Sequence, residues 1–211
     1  MTEAVEVTEV DAEGRVTARQ TLVAGRLEGE ALEYSPDGQV ASRTQFLAGR
    51  PHGEHQVFDE KGRLTGRFTF AEGLLDGPAE LLEGGQPQAR FAFRRGKRDG
   101  ESALYGEDGE PTMICHYRGG ELEGPASWYA PGGLLARTGT YVGGKLEGEV
   151  LDYHDNGKVR ERSTFRAGKL EGEVVRYRKN GTVRETQRFA AGKPATPPTP
   201  HDEQGRPLPA R

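Results

Sequence analysis

The chain has a single cysteine, Cys115, in 211 residues. No internal disulfide can brace it, and a reducing compartment is open to it. Apolar residues are also scarce, at 33% against 29% charged, which is not the usual globular mix and too little for one thick core. No apolar run approaches ~18 residues, so no membrane-spanning helix is expected. The opening "MTEAVEVTEV" lacks a basic stretch leading into an apolar one and does not read as a signal peptide. A basic balance is missing too: the formal charge is −4, with both signs interspersed, which argues against a nucleic-acid surface. The expected location is cytoplasmic.

What the chain does have is glycine, 31 residues of it, set on a ruler. Pairs four apart recur as Gly25/Gly29, Gly49/Gly53, Gly73/Gly77, Gly96/Gly100, Gly120/Gly124, Gly144/Gly148 and Gly168/Gly172. Successive pairs are 24, 24, 23, 24, 24 and 24 residues apart. A third glycine follows each pair, from Gly38 to Gly181, and the short repeat reaches its own one residue early, at Gly85. Aromatics keep the same frame. One column reads Tyr34, Phe58, Leu82, Tyr105, Tyr129, Tyr153, Tyr177, and a second reads Phe46, Phe70, Phe93, Tyr117, Tyr141, Phe165, Phe189. A fixed internal period is the mark of a repeat architecture. Because aromatics sit between the glycines, a flexible linker is not the reading.

Each copy reads as two strands. "GEVLDY" and "GEVVRY" are rich in β-branched and aromatic residues and run into "HDNG" and "RKNG", Asn-Gly turns of the kind that reverse a hairpin. A second glycine-bounded reversal, such as "RAGKLEG", joins one hairpin to the next. Its Lys145, Lys169, Glu147 and Glu171 are expected to form a solvated charged edge. Nothing shows a 3.6-residue apolar period. A stack of this kind needs only enough apolar surface to join neighbours. The expected fold is all-β: about seven and a half 24-residue β-hairpins in an antiparallel array over residues 1–193. The tail 194–211, "PATPPTPHDEQGRPLPAR", is proline-rich; it is either disordered or, since Gly205 keeps the frame, a degenerate repeat that caps the stack.

The pattern F-x-x-G-K-L-x-G-E-x-x-x-Y-x-x-x-G in "FRAGKLEGEVVRYRKNG" resembles the MORN repeat. It is most similar to the variant in bacterial proteins of the YwqK antitoxin-like family. The resemblance covers roughly residues 10 to 193. It breaks at Leu82, where an aromatic is missing, and at Pro78 and Pro125, which replace the usual glutamate. It implies successive hairpins in an elongated, twisted single-layer sheet. It further implies a protein-binding module, above all an antitoxin or immunity protein that neutralises a toxin or effector. The other class it leaves open is a membrane- or complex-associated scaffold. Anionic lipid attracts clustered Lys and Arg, whereas here the basic residues are dispersed, so membrane association is not the favoured expectation.

Catalysis finds little footing, and no enzyme, cofactor or metal is expected. His52, His55, His116, His154 and His201 fall at different repeat positions without ligand spacing. "HDNG" occupies a slot that elsewhere reads "RKNG", which is turn chemistry rather than a calcium loop. Cys115 and His116 are adjacent strand residues pointing to opposite faces, a poor nucleophile–base pair. "GKLEG" precedes no helix and is no P-loop.

The candidate contact residues are those that break the frame. The residue before the first aromatic column reads Glu33, Val57, Leu81, Leu104, Trp128, Asp152, Arg176. Its charged ends fit a solvated face, and its middle is apolar and holds the chain's one tryptophan. In the second strand, Ile114 interrupts a mostly basic column running from Arg43 to Thr186. Val57, Leu81, Leu104, Ile114 and Trp128 are therefore the expected partner-binding residues. The strip alternatively packs against a curled sheet or the tail. Whether Ile114 shares the face of the other four depends on a bulge at the turn.

Overall fold

The computed structural model describes residues 3–209. The two residues at each end of the chain, including the last two of the proline-rich tail, lie outside the described residues. The described residues form 22 strands and no helix, and every strand pair is antiparallel. The chain divides into two units, Met1–Gly100 and Glu101–Arg211.

Unit 1 begins with Ala4–Val10 paired to Val16–Val23. Hairpins follow in chain order: Gly29–Tyr34 with Val40–Leu47, Arg50–Phe58 with Leu64–Ala71, and Leu74–Glu83 with Gln86–Arg94. Unit 2 repeats the plan with Glu121–Ala130 against Leu134–Val142, Gly148–Tyr153 against Val159–Arg166, and Gly172–Tyr177 against Val183–Ala190. The tail joins this unit. Thr199–Pro200 pairs with Glu185 and Thr186, and a turn over Asp202–Arg206 brings Pro207 back opposite His201.

The two glycine-rich reversals differ in build. The one between hairpins is a two-residue loop with both residues left-handed, as at Ala167 (φ 49°) and Gly168 (φ 79°). This is the mirror turn whose twist suits a hairpin, and it obliges an alanine to accept an uncommon conformation. The "HDNG" loop is not the two-residue Asn-Gly turn the sequence suggests. The Gly157 amide bonds the His154 carbonyl (3.0 Å) and the His154 amide bonds that of Lys158 (2.8 Å). Only Gly157, φ 77°, is left-handed, which makes this a three-residue loop ending in an αL glycine.

The glutamates of the reversal are not a merely solvated edge. Glu147 accepts the Ala167 amide at 2.7 Å, and Glu171 accepts that of Ala191 at 2.9 Å. Glu28 with Ala48 and Glu123 with Gly143 repeat the bond at 2.8 and 2.9 Å. Each carboxylate thus satisfies an amide that its own mirror turn leaves unpaired, one repeat further on.

After each first strand the register shifts, as between Asp152 and Tyr153. Asp152 faces Glu161 and Tyr153 faces Val159, so Arg160 is the extra residue and the bulge lies on the second strand. The first strand therefore keeps strict alternation. One face, the packed face, carries the second aromatic column and most of the buried side chains, among them Ala79, Ala89, Cys115, Ala126, Val150 and Val174. The other carries the first aromatic column: the Tyr153 hydroxyl lies 3.3 Å from Thr138 Oγ1, on the side away from Asp152.

Candidate functional site

Alternation and register decide where the expected contact residues lie. In unit 1, Val57 and Leu81 both pair with Gly66, so they flank it in one cross-strand row of the packed face. Leu81 is 40% exposed. In unit 2, Leu104 is 42% exposed, and Trp128 pairs with Met113 on one side and Arg137 on the other. The Trp128 ring stands 6.2 Å from the Tyr141 ring, so it belongs to the packed face and is half-buried there. Ile114 pairs with Ser127, one residue out of phase with the Met113–Trp128 pair. It is half-buried on the opposite face and does not join Trp128.

Beyond Trp128 the same row reads Arg137, Asp152, Glu161, Arg176, Glu185, each paired across strands to the next. Asp152, which the sequence suggests is a solvated charge, is only 4% exposed. Arg137 grips both of its carboxylate oxygens, Nε to Oδ1 at 2.9 Å and Nη2 to Oδ2 at 3.0 Å. A buried carboxylate is tolerable only with this kind of partner. The same bond holds the Arg137 guanidinium above its ordinary range. Arg160 approaches Asp152 more loosely, at 3.4 Å. Arg176 bonds Glu161 at 2.8 Å and also Glu185, and the Glu161 bond likewise raises its pKa. Burial raises that of Tyr141 beside Trp128.

Next to the Arg137–Asp152 pair lies a groove of about 390 Å³ between two successive hairpins of unit 2. Trp128, Leu134 and Ala136 line its apolar side, and Arg137, Asp152 and Arg160 its polar side. Leu134 is 51% exposed and adjoins Trp128, Ala130, Leu135 and Ala136 along the groove, so the exposed apolar surface there is contiguous rather than a single side chain. A second groove of about 250 Å³ continues one repeat further along. It is lined by His154, Arg160, Glu161, Arg176, Tyr177 and Arg184, so Arg160 and His154 border both. His154 is fixed between them, its Nε2 3.0 Å from the Tyr177 carbonyl. No group of three or more metal-ligating side chains occurs among the described residues.

The sequence reading missed Leu134, Arg160 and Arg184, although the frame carries the signal. The residue after the turn glycine reads Gln39, Arg63, Gln86, Glu110, Leu134, Lys158, Thr182, so Leu134 alone is apolar. The bulge column reads Ala41, Thr65, Gln88, Thr112, Ala136, Arg160, Arg184 and turns basic only at its end.

A family model described as "MORN repeat variant" matches residues 27–48 and 146–167; MORN repeats are generally protein- or membrane-binding modules. No curated protein matches the chain. Among solved structures, that of TarM is 14% identical over 44% of this chain and 19% of its own, at a TM-score of 0.31. An S. aureus TarM mutant in complex with fondaparinux, alpha-GlcNAc-glycerol and UDP is 13% identical over 51% and 19%, at a TM-score of 0.24. A Bacteroides fragilis protein with unknown function is 7% identical over 91% and 96%, at a TM-score of 0.14. The chain spans about a fifth of the length of the TarM structures it matches.

Proposed function

We propose that this chain is a protein-binding repeat module, not an enzyme, and that it holds its partner at the Trp128–Leu134 groove of unit 2. The observation that carries the reading is Leu134, half-exposed in a column that is polar in the other repeats and set beside the one tryptophan. Tryptophan is enriched where binding energy concentrates, and a contiguous apolar surface rimmed by charge is the usual form of a contact site. The two segments that match the MORN repeat variant support a binding role. Within that role, resemblance to the YwqK antitoxin-like family favours an antitoxin or immunity protein that occupies a toxin in the cytoplasm.

Co-expression tests it. The chain should relieve the growth arrest caused by its toxin, encoded in a neighbouring gene, and should co-purify with that product. The Trp128→Ala, Leu134→Glu double variant should lose both properties while keeping its β-sheet circular dichroism, a loss of at least ~2 kcal/mol in binding. Binding that survives the double variant overturns the site. Strong, salt-sensitive sedimentation with anionic vesicles, without a protein partner, favours the membrane scaffold instead.

A further inference from the structure

Two adjoining grooves of unit 2 differ in chemistry, and the difference specifies a ligand. The first is floored by Trp128, Leu134 and Ala136. The second is bordered by three arginines, and these are unequally engaged. Arg176 is held by Glu161 and Glu185. Arg160 is 58% exposed with one 3.4 Å contact, to an aspartate whose two oxygens Arg137 already satisfies. Arg184 is exposed, and its guanidinium meets no acid among the ion pairs of the described residues. The acids near the second groove are thus committed, and two cations are left over.

We propose that the paired grooves take an extended, acidic segment of the partner protein, with an apolar side chain against Trp128 and Leu134 and carboxylates at Arg160 and Arg184. The spacing follows from the repeat. One hairpin advances two strands, about 9.6 Å at the usual inter-strand distance, and an extended chain covers about 3.3 Å per residue. Ala136, Arg160 and Arg184 hold the same position in three successive hairpins, so the apolar residue precedes the first acid by about three positions and the second by about six. Arginine suits the second half because its planar fork pairs with carboxylates in two-bond geometry. This proposal rests on the groove being the contact surface, and adds the charge and order of what fills it.

Trp128 is the sole tryptophan, so its emission reports on this site alone. The full chain is titrated with acetyl-Leu-Ser-Ser-Glu-Ser-Ser-Glu-amide and with the counterparts in which both glutamates are replaced by glutamine (the Gln-Gln peptide) or by lysine (the Lys-Lys peptide). The acidic peptide should shift Trp128 emission saturably, with at least tenfold weaker binding by the Gln-Gln peptide and none by the Lys-Lys peptide. Replacing Arg160→Gln with Arg184→Gln should bring the acidic peptide down to the level of the neutral one. Equal binding by the three peptides, or no saturable response to any at millimolar concentration, overturns the proposal. The peptide comparison on the unaltered chain decides the matter even if the double variant fails to fold. A partner that needs Trp128 and Leu134 but ignores both arginines would sink this inference and leave the binding-module reading standing.

Discussion

The two units distribute paired charge differently over the two faces of the same frame. In unit 1 the arginines stand on the face away from the packed one, where Arg43, Arg67 and Arg90 reach Glu30, Glu54 and Glu80 at 3.4, 3.9 and 2.8 Å. Its packed row opens with two acids, Glu9 and Glu33 on either side of Ala18, and carries no charge from Ser42 through Val57, Gly66 and Leu81 to Ala89. In unit 2 the packed row is the charged one, from Arg137 to Glu185. The neighbouring row on the opposite face there reads Ile114, Ser127, Thr138, Leu151, Arg162, Val175 and Thr186, with Arg162 its one charge. The repeat thus fixes backbone and aromatics and leaves the sign and side of the charges free. The cost of a missing partner is not the same on the two faces. The Arg67 and Glu54 side chains are 49% and 48% exposed, whereas that of Asp152 is 6% exposed.

The sharpest test of the contrast removes one arginine from each unit. Arg137→Ala leaves the Asp152 carboxylate buried with only Arg160 nearby and should cost about 3 kcal/mol. Arg67→Ala breaks a half-exposed pair and should cost under ~0.5 kcal/mol in a urea melt. Equal losses would erase the distinction between the faces.

A second test overfills the uncharged stretch of the packed row in unit 1. A Cβ at Gly66 would stand 2.8 Å from Cε2 of Phe68, so Gly66→Ala should destabilise by about 1–2 kcal/mol as the ring is displaced. An unchanged melting temperature would show that the row has slack.

Two buried serines should respond with opposite signs. Ser42 donates to Glu33 at 2.8 Å, and Ser42→Ala should cost about 1 kcal/mol. The Ser102 hydroxyl of unit 2 is buried without a partner among the described residues, so Ser102→Ala should stabilise by up to about 1 kcal/mol. A destabilising Ser102→Ala would mean that its hydroxyl is satisfied after all.

The smallest effect is a pH slope belonging to unit 1. His55 lies 5.8 and 5.9 Å from the Phe68 and Phe70 rings and shares a 2.8 Å hydrogen bond with Thr44. Burial lowers its pKa below 6.5, against an opposing pull from Glu33. The unfolded chain then takes up the proton more readily. The His55 contribution is complete above pH 6.5 and is lost as pH falls from there through the depressed folded value. Melts of the wild type and His55→Gln between pH 7.5 and 5 should converge as the medium turns acid; parallel curves would contradict the assignment.

How much of this was legible in the sequence follows from what each feature depends on. The 24-residue frame, the paired strands and both aromatic columns are properties of spacing along one chain, and a single sequence displays them. Ile114 shows where that stops. Whether it lies beside Trp128 depends on which strand absorbs the bulge; in the Trp128 hairpin the extra residue is Ala136, on the second strand, and Ile114 pairs with Ser127 while Met113 takes Trp128. Asp152 was legible only as a charge. Its burial follows from Arg137, fifteen residues earlier and opposite it across the strands. Glu147 was misread for the same reason, since the amide it accepts lies twenty residues on. Leu134 was legible in principle, as an apolar letter in a polar column.

The glutamate clamp bears on how such a chain can change length. Glu28, Glu123, Glu147 and Glu171 each reach exactly one turn ahead, always twenty residues downstream. The bond is indifferent to which copy supplies the acid and which the amide. A tandem duplication of one whole repeat, with its breakpoints anywhere in the unit, would give every new turn an acceptor and every new acid a turn. The one repeat that is a residue short shows what a slip costs: its Asp76 still meets the next turn, at the Arg95 amide nineteen residues on, but at a longer 3.4 Å. Copy number can therefore change most freely in whole repeats, and the individuality of a copy rests in letters such as Leu134 and Arg160.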